Sequence, residues 1–295
     1  MNWNKILNIF ILIFFVANLG IFGISYFQAE KKYTISAERE EQLREILKNK
    51  GLALYTQLPT YYPMKTVTLK KPQADKEKIA KRILNEGLFD RAFGADLDSY
   101  SLGEQELRFY KSTRNGEIYY KGKNQKYFPK DFTQKELERV SSILAEDLML
   151  GIPDMEITYL KTYEEYSIIE LHEVFKNKIL FCNYVSIKVN KDGSIEASAK
   201  RYEPLEFSAE KQEIYSVDEI LYSFAESIEK NASEMYSITD IDLGYEIGEE
   251  KINDSNGETA SPYYRIKLHN EFVYYVNAYT NEVRTNQLRT LEKEE

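Results

Sequence analysis

The run from Ile6 to Ala29 carries no charged side chain, and this constrains the chain more than any other stretch. Most of its positions are Ile, Leu, Phe, Val, Ala or Gly. As a helix rising about 1.5 Å per residue it would reach about 36 Å, against roughly 30 Å for the hydrocarbon slab of a bilayer. A secretory signal has a shorter apolar core, about 7 to 15 residues, and a small-residue cleavage site. The best candidate here, Gly23-Ile-Ser25 before Tyr26, is poor. A buried core helix would need a polar face, and Asn8, Asn18 and Ser25 alone do not make one. The expectation is an uncleaved transmembrane helix over residues 6–28, with Trp3 and Tyr26 at its two interfaces.

Asn18 falls near the middle of that run. A carboxamide in hydrocarbon gains on the order of 1 kcal/mol by bonding a neighbouring helix, which makes Asn18 a candidate contact. Lys5 precedes the run and Lys31, Lys32, Arg39 and Arg44 follow it. A literal charge count would put the long part inside, but long domains translocate largely regardless of charge, so the count leaves orientation open.

The order Asn2-Trp3, Lys5, Ile9, Ile11, Phe14-Phe15, Asn18-Leu19 and Phe22 resembles the opening of the YycH/YycI family. These are membrane-anchored accessory proteins of a two-component system of Gram-positive bacteria. The segment Tyr274-Tyr-Val-Asn-Ala-Tyr-Thr-Asn-Glu-Val283 is similar to the last hairpin of PepSY-type domains, which usually reads Ala-Tyr-Thr-Gly-Glu-Val. Asn281 stands where that pattern has Gly, and Asn also tolerates the left-handed conformation. The resemblance implies a cytoplasmic N-terminus at residues 1–5, a single-pass membrane protein, and a bulk that is extracytoplasmic. It further implies two partners, a sensor histidine kinase of the WalK/YycG type and a YycH-like sister protein. Asn18, Phe14 and Phe22 are the expected helix contacts with a partner.

The formal charge of −9 repels phosphate backbones and makes nucleic acid an improbable partner. One cysteine, Cys182, cannot close an intramolecular disulfide and reads as a core residue of a strand. His172 and His269 lie far apart, each in an expected strand, with no second ligand at metal spacing. There is no Gly-x-Ser-x-Gly elbow and no Gly-rich phosphate loop. Asn190-x-Asp192-Gly193 and Asp254-x-Asn256-Gly257 read as hairpin turns, since neither has the full calcium-loop set of oxygens. No cofactor, metal or catalytic set is expected.

Periodicity organises the remainder. Ser36 and Asp75 are expected to cap helices carrying Leu43, Ile46 and Leu47, and Ile79, Ile83 and Leu84. Thr133-x-x-Glu136 and Ser216-x-x-Glu219 match the capping box. Between these helices, period-two alternation marks strands from Leu107 and Phe109 through Ile187 and Val189 to Phe272–Tyr279. The reading is α+β: the transmembrane helix, then two tandem units, 29–130 and 131–295, each packing helices on an antiparallel sheet. Many of the 24 tyrosines, among them Tyr110, Tyr119, Tyr184 and Tyr202, fall opposite the aliphatic face, as suits half-buried strands; a partner-binding sheet is the alternative reading. The expected function is non-enzymatic regulation of the sensor kinase. The alternatives are an anchored envelope-binding module, for a wall polymer or a protease, and an envelope hydrolase working through a carboxylate pair.

Overall fold

The structure, a computed structural model, describes residues 3–71, 74–85, 89–111, 116–151, 154–228, 235–248, 257–270 and 272–287. Helix α1 (Trp3–Lys32) leads to α2 (Ala37–Asn49), β1 (Leu52–Leu54) and β2 (Val67–Lys70). Next come α3 (Lys76–Leu84), β3 (Asp90–Phe93), β4 (Leu97–Leu102), β5 (Gln105–Tyr110) and β6 (Ile118–Lys123). After α4 (Gln134–Met149) the chain forms β7 (Met155–Thr162), β8 (Tyr166–Phe175), β9 (Lys178–Asn190), β10 (Ser194–Lys200) and β11 (Glu203–Phe207). Finally, α5 (Val217–Ser227) precedes β12 (Tyr236–Ile247), β13 (Glu258–Leu268), β14 (Phe272–Asn277) and β15 (Val283–Gln287).

The chain is α+β and mostly sheet, but the membrane part of the expectation is corrected. Among the described residues, no helix is long and apolar enough to cross a membrane. The transmembrane helix at 6–28 and the single-pass localisation are therefore not supported.

Helix starts follow from local chemistry. Ser36 Oγ accepts the Arg39 N–H at 3.3 Å, and Asp75 Oδ1 accepts the Lys78 N–H at 3.2 Å. Leu43 and Leu47 are buried under α2, but Ile46 is 38% exposed and lies off the core stripe. The two capping-box sequences diverge. At α5 the Glu219 carboxylate accepts both the Ser216 N–H (2.8 Å) and its hydroxyl (2.6 Å). At α4 the Thr133 hydroxyl accepts the Glu136 N–H, but Asp131 takes the Thr133 N–H at 3.2 Å. Glu136 is thereby free to pair with Arg139 at 2.9 Å. Glu219→Ala should thus cost about 1 kcal/mol in urea unfolding and Glu136→Ala a few tenths. Equal losses would refute the distinction.

The two separate sheets expected from the pattern are joined. Among the described residues a single fifteen-stranded sheet has a main path β11-β2-β13-β12-β9-β10-β6-β5-β4-β3. The expected units 29–130 and 131–295 interleave, β6 pairing with β10 and β2 with β13, and the sheet's own two halves, β11-β2-β13-β12 and β9-β10-β6-β5-β4-β3, meet where β12 and β9 run parallel at Tyr245 and Leu180. One core, beneath α2 and α5, gathers Leu43, Leu69, Phe224, Tyr264 and Val276. The other, beneath α3 and α4, gathers Ile83, Leu107, Leu144, Ile169 and Val185. Residues 43–69 thus pack with the C-terminal strands, because β1 pairs parallel with β12 and β2 pairs antiparallel with β13. Strand β3 was expected to be loop. Every residue in it is exposed, so no burial period betrays it.

Strand β13 shows why the C-terminal half needs both faces. Tyr264, Ile266 and Leu268 point into the core beneath α2 and α5. The opposite face carries Tyr263, Arg265 and Lys267, all at most 5% exposed. Arg265 pairs with Asp242 at 2.6 Å, lies 3.9 Å from Glu170, donates to Thr158 Oγ1 at 3.3 Å and stacks 4.6 Å from the Phe181 ring centroid. His172 Nδ1 lies 2.7 Å from Thr158 Oγ1. Lys267 joins Asp240 at 2.8 Å and Asp242 at 3.2 Å. The network ties β12 and β13 to β7 and β8 across the junction of the halves.

Candidate functional site

The segment Tyr274–Val283 forms β14, a turn and the first residue of β15. Asn281 takes φ +63°, the left-handed conformation expected of the residue replacing Gly. The turn is locked from within, since Asn277 Oδ1 accepts the N–H groups of Tyr279 (2.8 Å) and Thr280 (3.2 Å). It is also held from outside, because the Ala278 N–H donates to Pro262 O at 2.9 Å and the Tyr279 hydroxyl to Met64 O at 2.8 Å.

This turn overhangs a groove of about 670 Å³. One wall is the start of β13, with Thr259, Ser261 and Tyr263, and the far side is Arg284 on β15. Arg284 is placed by three contacts: Nη2 donates to Tyr263 Oη (2.8 Å), Nη1 to Ile247 O (3.2 Å), and the guanidinium lies 5.2 Å from the Tyr263 ring centroid. Asn277 Nδ2 also donates to Tyr263 Oη at 3.2 Å. Tyr263 therefore accepts twice, and its own proton has no acceptor among the described residues. Burial pushes this phenol up, against the opposing pull of Arg284 and Asn277, so it stays protonated at neutral pH and remains a donor.

Glu258 opens β13 at the groove and is only 5% exposed. Its Oε1 is buried without a hydrogen-bond partner among the described residues. The backbone before it runs close against β2. Gly257 holds φ +97°, and a Cβ there would sit 2.6 Å from the carbonyl oxygen of Leu69. Glu282, exposed at the rim, takes the Thr280 hydroxyl at 3.2 Å.

The other expected sites fall elsewhere. Phe14 and Phe22 are 73% and 71% exposed on α1, and Asn18 Nδ2 donates to its own helix, at Phe14 O, 2.7 Å away. Cys182 is buried, His172 belongs to the Arg265 network, and His269 Nδ1 accepts the Ser237 N–H at 3.1 Å. Among the described residues no group of three or more His, Cys, Asp or Glu side chains is placed to hold a metal. Tyr119, Tyr184 and Tyr202 are buried at 2%, 6% and 2% exposure and Tyr110 is half-buried, which fits tyrosines packed in strands and not an open tyrosine-rich binding face. Asn115, Gly87, Pro153, Asp254 and Asn256 lie outside the described residues. Glu258, Tyr263 and Arg284 were not anticipated, being separated by up to 26 positions with no motif among them. The sequence signals near them were the 274–283 segment and the Asp254-x-Asn256-Gly257 turn, neither of which names a site residue.

No family model and no curated protein sequence matches the chain. Its fold is similar to a crystal structure of an uncharacterized protein from Eubacterium rectale ATCC 33656, with 13% identity and a TM-score of 0.45 over 80% of this chain and 91% of that one. It is also similar to the Bacillus megaterium YpeB C-terminal domain, with 12% identity and a TM-score of 0.35 over 74% of this chain and 99% of that one. At these scores neither structure assigns a function to the chain, and no sequence comparison supports the YycH/YycI resemblance.

Proposed function

We propose that this chain is a non-catalytic binding module of the bacterial cell envelope, and that the groove beneath the Tyr274–Val283 turn is where it takes its ligand. The observation that carries this reading is a groove whose turn is fixed by hydrogen bonds yet which is left, among the described residues, with an unused donor on Tyr263. Buried polar groups are ordinarily paired, so groups left open at a groove suit a ligand that completes them.

The finer reading, carried by the N-terminal resemblance, is regulation of a sensor histidine kinase of the WalK/YycG type in company with a YycH-like sister protein. A regulator shifts a kinase only by binding its signalling states with different affinity, and a coupling of about 1 to 3 kcal/mol changes output roughly 5- to 150-fold. Photo-crosslinking residues at Thr280, on the groove rim, and at Phe14 and Phe22, exposed on α1, test this in living cells. Capture of the kinase from Thr280 is expected. Capture of nothing from any of the three positions, with kinase output unchanged on deletion, would remove the regulatory reading.

One observation favours a second reading, since Glu258 and Glu282 both line the groove and carboxylate pairs across a cleft hydrolyse glycans. Glu282 is exposed and hydrogen-bonded at the rim, whereas a general acid works from a protected site. Release of sugar from wall glycan that stops in Glu258→Gln would favour the hydrolase.

A further inference from the structure

We infer that the groove receives a carboxylate, held by the Arg284 guanidinium with the Tyr263 hydroxyl as a second donor. This rests on the binding-module reading and adds the chemistry of the ligand.

Arg284 differs from every other described arginine. Each of the others has a carboxylate within 3.9 Å, from Arg39 on Asp218 to Arg265 on Asp242. Among the described residues the Arg284 guanidinium meets only neutral oxygens, Tyr263 Oη at 2.8 Å and Ile247 O at 3.2 Å. The acids nearby serve other donors, Glu282 taking the Thr280 hydroxyl and Glu246 Oε1 the Ile247 N–H. A guanidinium has five N–H groups, so three on Arg284 are left without an acceptor among the described residues. The side chain is half-buried and lines the groove. A carboxylate arriving there supplies the missing counter-charge, and its two oxygens match the planar fork of the guanidinium.

The neighbouring groups extend the same chemistry. Tyr263 Oη accepts from Arg284 and Asn277 and keeps its own proton to donate, 2.8 Å from the guanidinium. Ser261 and Thr259 alternate with it along β13 on the wall that faces the groove, and among the described residues neither hydroxyl has a partner. They serve the polar remainder of a ligand whose acid group sits on Arg284. A space of about 670 Å³ suits a small molecule or the end of a polymer. The charge selects a carboxylate over a phosphate monoester. One guanidinium neutralises a single negative charge, whereas a dianion would keep an uncompensated charge beside Glu282.

The test is isothermal titration of the full chain with two carboxylates and their uncharged counterparts: N-acetyl-alanyl-alanine with its C-terminal amide, and N-acetylmuramic acid with N-acetylglucosamine. Methyl phosphate is the competing anion. A carboxylate should bind, and its counterpart about tenfold more weakly or worse. Preference for the dipeptide identifies a peptide end as the source, and preference for the muramic acid a sugar acid; either supports the assignment. Arg284→Gln should reduce the acid to the affinity of its counterpart and leave the counterpart unchanged, and Arg284→Lys should restore part of the loss. Tyr263→Phe should weaken the acid several-fold while Arg284 is in place. The bound acid should raise the Tm of wild type but not of Arg284→Gln, whose own cooperative melt reports that it is folded. Equal binding of an acid and its counterpart, or undiminished binding by Arg284→Gln, overturns the carboxylate assignment. So does binding of methyl phosphate alone. If no probe binds while Thr280 still crosslinks a partner in cells, this inference falls and the binding-module reading survives. If Thr280 also captures nothing, both fall.

Discussion

Arg265→Met is expected to destabilise the protein by about 3 to 5 kcal/mol, measured as the loss in urea unfolding free energy at neutral pH. The magnitude comes from what the substitution leaves behind. Methionine fills similar space, but Asp242 loses its 2.6 Å partner and Glu170 its nearby cation, in a region where Arg265 itself is 0% exposed. Carboxylates stripped of their cation inside a protein retain the full desolvation cost without the compensating attraction. A double variant, Asp242→Asn with Arg265→Met, should recover part of the loss, with a coupling of about 1 to 3 kcal/mol.

The same network has a pH signature. Burial pushes the Asp242 carboxyl up, but the attraction of Arg265 and Lys267 outweighs it and holds the group below its ordinary 3.8. A carboxyl whose folded value is depressed contributes stability that is fully present above the unfolded value. That contribution disappears as pH falls from about 3.8 through the lower folded value. Wild type should lose stability in that acid window, and Arg265→Met should lose less there. An unchanged acid slope would show that Asp242 is not held by Arg265.

Gly244→Ala is expected to cost about 3 kcal/mol, which for a chain of this size lowers Tm by roughly 6 °C or more. Gly244 lies in β12 beside Tyr245, which pairs with Leu180 of β9. A Cβ at Gly244 would sit 2.7 Å from the Ile179 carbonyl oxygen and 2.7 Å from Phe181 Cζ. Phe181 cannot swing aside freely, because its ring is sandwiched among Arg265, His172 and Tyr275. The added methyl must therefore separate β12 from β9, where, among the described residues, the halves of the sheet pair. A stability change below about 0.5 kcal/mol would mean the junction is looser than this packing requires.

Much of the local structure was legible before any coordinates. Ser36, Asp75, Thr133 and Ser216 all stand at helix starts, because a short polar side chain before an apolar stripe satisfies free N–H groups wherever it occurs. The alternation of Tyr264, Ile266 and Leu268 with Arg265 and Lys267 correctly marked β13 as a two-faced strand. It did not disclose that the charged face is as buried as the apolar one, because burial of Arg265 depends on Glu170 and Thr158, which lie 95 and 107 residues away. The same limit hid the exposed edge strand β3 and the buried state of Tyr119, Tyr184 and Tyr202.

What the sequence by itself determined is whatever neighbours in the chain decide: helix caps, strand alternation, the left-handed turn at Asn281 and an α+β class. The tertiary structure alone decided that the two sheets are continuous through β9 and β12, and that residues 43–69 share a core with the C-terminal strands. It also decided that Tyr263 and Arg284 meet at one groove. The physical reason is range. Caps and periods are set by hydrogen bonds and burial within a few residues, whereas strand order and the environment of a buried charge are set by partners far along the chain.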